Sequence, residues 1–104
     1  MKKFYWSAIS TDDRIKSISE TSSIVDKFGI ILNFFRSSDL SMGISIEIEE
    51  GKVNDLYINL KRILLIEGFD NNAEDSTKDC NILLNITFTK GTGDLEIEVP
   101  SIIE

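Results

Sequence analysis

The chain has 104 residues, with 11 Lys or Arg against 18 Asp or Glu and a formal net charge of −7. Its 41% apolar content, single proline and six glycines describe one globular domain, not a disordered chain. It has no histidine and one cysteine, Cys80. That excludes a Ser-His-Asp triad, a Cys-His pair, an HExxH centre, a Cys/His zinc cluster and an intrachain disulfide, and it suits a reducing compartment.

The start, Met1 to Ile9, runs into Asp12-Asp13-Arg14 before a signal-length apolar core forms. The longest apolar run, Ile63-Leu64-Leu65-Ile66, is far short of the roughly 20 residues that span a bilayer. A cytoplasmic domain is expected, and its negative charge argues against anionic lipid or nucleic acid as direct partners. The charge is uneven. Residues 1–40 hold six cations and five anions; residues 41–104 hold five cations and thirteen anions. An excess of one sign destabilises the compact state while steering partners of the other sign.

Alternation predicts a strand over residues 3–9, where Phe4, Trp6 and Ala8 share one side. Residues 12–21 suggest a short helix, with Thr11 or Asp12 as N-cap and Ile15 and Ile18 as its apolar edge. The stripe Ile24, Val25, Phe28, Ile31, Leu32 and Phe35 predicts a further helix, capped by Ser22 or Ser23, with Gly29 marking close packing. Residues 43–50 alternate strictly: Ile44, Ile46 and Ile48 inward, Ser45, Glu47 and Glu49 outward.

Residues 53–67 fit both a helix, on Val53, Leu56, Tyr57, Leu60, Ile63 and Leu64 with Gly68 at its end, and a hairpin on Leu56, Ile58 and Leu60. The helix covers more of the segment. A polar loop follows over 69–80. Ile82, Leu84, Ile86 and Phe88 then predict a strand, Gly91 to Asp94 a turn, and Leu95, Ile97 and Val99 a returning strand closed by Pro100. The expected architecture is a single α+β domain over residues 1–104. About four mostly antiparallel strands pack on two helices, in the order β-α-β-α-β-β.

Carboxylates are the one abundant chemical resource. Glu47 and Glu49, and Glu96 and Glu98, lie two apart on strands whose opposite sides are apolar. Amphipathic alternation explains both pairs without catalysis. The loop from Asp70 to Asn81 has Asp75 and Asn81 where an EF-hand needs Gly and Glu. Gly91-Thr92-Gly93 sits between strands and reads as a turn, not a phosphate loop. Carboxylate neighbours raise the pKa of Cys80, which reads as a small buried residue. Tyr5 and Trp6 are residue types that anchor interfaces. No catalytic residue, metal site or cofactor is expected.

With its small size, acidic charge, lack of histidine and α+β layout, the chain resembles the immunity proteins of bacterial toxin systems, including contact-dependent growth inhibition. The resemblance implies a noncatalytic antitoxin that binds and neutralises a cationic, nuclease-type toxin domain. Its expected contact pool is Glu47, Glu49, Asp70, Glu74, Asp75, Asp79, Glu96 and Glu98. The chain is also similar in size and charge to small acidic secretion chaperones, which would bind an effector segment.

Overall fold

Alternating side chains build the centre of the molecule. The computed structural model describes residues 1–38, 40–67 and 73–89. In it Lys3–Ser10 forms β1, with Phe4, Trp6, Ala8 and Ser10 buried and their neighbours exposed. Ser41–Glu49 forms β3, which buries Ile44, Ile46 and Ile48, and Asp79–Phe88 forms β5, which buries Cys80, Ile82, Leu84, Ile86 and Phe88. With β2 (Gly29–Ser38) and β4 (Leu65–Glu67), these strands form a five-stranded sheet among the described residues, in the order β2-β3-β5-β1-β4.

Two helices, α1 (Arg14–Val25) and α2 (Val53–Leu60), cover one face of that sheet. Val25, Val53, Leu56 and Leu60 complete one core with the inward strand residues. Trp6 meets Tyr57 of α2 edge-on, with ring centroids 5.6 Å apart at 70°. The expected α+β class therefore holds, a sheet packed on two helices. The sheet is mixed: β1 runs parallel to β5, and the other pairs are antiparallel.

Local structure departs from expectation at three places. First, α1 is capped by Asp13, whose side chain accepts from the Lys16 N–H at 2.9 Å. Its inward side is Ser17, Thr21 and Val25, while Ile15 is 81% exposed. Ile18 and Ile24 pack against the core beside them, partly buried.

Second, the helix expected from Ile24 to Phe35 is divided. Ile24 and Val25 end α1, a turn closes through Phe28 N–H to Val25 C=O at 2.9 Å, and β2 begins at Gly29. A contiguous apolar run satisfies the 3.6 and the 2.0 period together, and its β-branched and aromatic content favours the strand. Gly29 does mark close packing, but between strands: a Cβ there would lie 2.5 Å from the Glu47 carbonyl oxygen.

Third, residues 53–67 divide into a helix, a turn and a short strand. The 3-10 turn Glu50–Lys52 leads into α2, which ends at Leu60, and Leu65–Glu67 then pairs antiparallel with β1. The returning strand expected over 95–99 lies outside the described residues, as does its turn. β5 is already flanked on both sides by β3 and β1.

Candidate docking surface

Side chains that point away from the helices form the other face of the sheet, and among the described residues no helix covers it. The register places Asn33, Ser45, Leu83 and Tyr5 in one row across β2, β3, β5 and β1. The neighbouring row runs Phe35, Gly43, Asn85 and Ser7. Phe35 lies over the missing side chain of Gly43, where a Cβ would be 3.5 Å from the ring. Tyr5, Phe35 and Leu83 line a shallow apolar depression here, with Ser7, Gly43 and Asn85 at its base and rim.

Carboxylates gather at one end of this face, where β3 finishes and β5 starts. Glu49 stands directly opposite Asp79, and Glu47 opposite Asn81. With Asp26, Lys27 and Lys52, these three acids line a groove beside the start of β2. Opposed like charges on neighbouring strands are unfavourable in the free protein. Among the described residues no three Cys, Asp or Glu side chains converge closely enough to hold a metal ion. The acids line a surface.

Glu74 and Asp75 lie at the same end, exposed on the segment that precedes β5. Two backbone hydrogen bonds hold that segment to the 3-10 turn: Gly51 N–H to Ser76 C=O at 2.8 Å, and Glu50 N–H to Lys78 C=O at 2.9 Å. Five of the eight expected contact residues (Glu47, Glu49, Glu74, Asp75 and Asp79) are thus brought to one end of the molecule. Asp70, Glu96 and Glu98 lie outside the described residues.

The acid that organises this end was not among those expected. Glu50 is 7% exposed and accepts from Lys2 Nζ at 2.8 Å and from the Glu74 N–H at 2.9 Å. The Lys2 hydrogen bond, and after it the Glu74 N–H, hold its carboxyl below the usual carboxylate range against the opposing pull of burial. It ties the start of β1 to the acidic segment. Its signal is in the sequence, since Glu50 continues the inward phase of Ile44, Ile46 and Ile48.

Of the two aromatic candidates, Tyr5 is 65% exposed and belongs to the open face, whereas Trp6 is core. Cys80 is fully buried, and its thiol is pushed up to about 11, by burial first and then by the Glu50 charge. No helix of the described residues is long and apolar enough to cross a membrane. No protein-family model, curated protein or solved structure matches the chain.

Proposed function

We propose that the chain is a noncatalytic protein-binding domain, an immunity protein or antitoxin that neutralises a basic, nuclease-type toxin domain in the bacterial cytoplasm. The observation that carries this reading is the facing pair Glu49 and Asp79 with Glu47 beside it, at the end of an uncovered sheet face. Such a placement weakens the isolated fold slightly. A cationic partner offsets it through steering and charge-assisted hydrogen bonds. Tyr5 and Leu83 on the same face supply the apolar anchor that a docking surface needs beside its charges.

The test reads the open reading frame immediately upstream and pairs this chain with the basic C-terminal domain it is expected to encode; a frame without such a domain counts against the reading. Co-expression rescues growth, and calorimetry finds a complex whose affinity falls at least tenfold between 50 and 500 mM salt, as roughly expected for exposed ion pairs. The triple variant Glu47→Gln, Glu49→Gln, Asp79→Asn abolishes both effects. Growth arrest despite co-expression, or a complex indifferent to the triple variant, overturns the reading. A complex that instead persists at high salt and fails on Tyr5→Ala supports the secretion-chaperone reading, which the apolar depression lined by Tyr5, Leu83 and Phe35 favours.

A further inference from the structure

β2 forms one margin of the sheet, ten residues long, or about 34 Å of backbone. One side of it pairs with β3; the other borders no strand among the described residues. Ile30, Leu32, Phe34 and Phe35 along it are between 44 and 62% exposed. Its sequence, Gly29 to Ser38, contains no carboxylate and one cation, Arg36. Native margins of this kind are normally shortened, charged or covered, because they template the addition of another strand.

The identity of that strand is limited by a bulge. Before it, Gly29 and Ile31 align with inward Ile48 and Ile46, and Ile30 aligns with outward Glu47. The register then shifts between Ile31 and Asn33. Beyond it, Asn33 and Phe35 align with outward Ser45 and Gly43, and Phe34 and Arg36 with inward Ile44 and Met42. The phase of alternation has reversed. A regular foreign strand stays in phase with only one half of β2.

A second β2, turned antiparallel about an axis between Leu32 and Asn33, carries the same reversal and stays in phase with both halves. Ile30 then faces Phe35 of the second copy on the outward side, Ile31 faces Phe34 on the inward side, and Gly29 faces Arg36. Every pair short of the bulge is apolar or involves glycine. In a chain of net charge −7, a stretch with no carboxylate of its own limits the repulsion between two copies.

We propose that two copies of the chain pair through β2 about this two-fold axis, joining their sheets into one. The pairing edge adjoins the acidic groove, which Gly29 and Ile30 also line, and Phe35 borders the apolar depression; measurements on the chain alone therefore test the dimer without any toxin partner. Light scattering from 5 to 500 μM gives a mass rising toward twice 11.7 kDa, and Ile30→Lys, at a position 62% exposed, weakens association at least tenfold with an unchanged circular dichroism spectrum.

Disulfide trapping checks the register. Purified Ile30→Cys and Phe35→Cys chains cross-link when mixed and oxidised, because opposed Cα atoms at roughly 4.5–5.5 Å suit a disulfide. Neither chain cross-links alone, since like positions lie five residues apart, about 17 Å. A monomeric mass throughout, a dimer untouched by Ile30→Lys, or equal cross-linking by either variant alone overturns the proposal.

Discussion

Consecutive residues of one strand have opposite fates on the two faces of this sheet. Trp6 is 2% exposed and Tyr5 65%; Leu84 is fully buried and Leu83 38% exposed. Both members of each pair are large and apolar, so hydrophobicity alone does not decide burial. What decides it is which face the helices occupy. The covered face holds the fold together. The open face carries Tyr5, Leu83 and Phe35 without being needed for the core, which leaves them available for contact with another molecule.

Truncating paired neighbours is the most direct way to break that contrast. Trp6→Ala costs about 3–5 kcal/mol, because it removes a core ring packed on Tyr57 and leaves a cavity. Tyr5→Ala costs less than about 1 kcal/mol, as an exposed side chain outside the core. Urea unfolding midpoints of the two variants check the difference. Comparable losses would mean that the open face is structural after all.

The acidic end supplies a pH test of smaller size. The folded carboxyl of Glu50 titrates below its ordinary value of 4.5. Its contribution is therefore fully present above that unfolded value and is lost as pH falls through the lower folded one. Glu50→Gln consequently destabilises the protein at pH 7, and the gap to wild type closes as acidification passes below 4.5 and on through the lower folded value. Midpoints measured at pH 7 and pH 3 check it. A gap that stayed constant would place the effect in packing and not in charge.

On the covered face, Thr21 is fully buried in α1, and its hydroxyl finds no hydrogen-bond partner among the described residues. Thr21→Val keeps the shape and removes the unmet polar group, so thermal unfolding should show a gain of about 1 kcal/mol.

These contrasts were unequally legible in the sequence. The alternation of β1, β3 and β5 is local and unbroken, so the buried isoleucines and the outward Glu47 and Glu49 can be read directly. β2 was hidden because Ile30 to Phe35 is apolar almost without interruption and its bulge removes what period remains. The same error concealed the apolar margin of the sheet. Asp79 is visible as an acid, yet its place opposite Glu49 follows from β5 lying between β3 and β1, a pairing between distant segments that no local pattern encodes. The one overlooked signal was Glu50, in phase with the isoleucines ahead of it.

The smallest expected change in stability tests why the acids face one another at all. Glu49→Lys turns an unfavourable cross-strand pair with Asp79 into a favourable one, worth roughly 0.2–1 kcal/mol. Were the sheet arranged for stability alone, that substitution would be a net gain, reduced only by Lys27 and Lys52 in the same groove. For a surface that docks a cationic partner it carries a matching penalty, because the new ammonium repels the group that Glu49 would have met. Glu49→Lys should therefore unfold at slightly higher urea while binding the cationic partner proposed above at least tenfold more weakly, with the association rate bearing much of the loss. A variant that gained stability and kept its affinity would show that Glu49 and Asp79 face each other for no reason connected with binding.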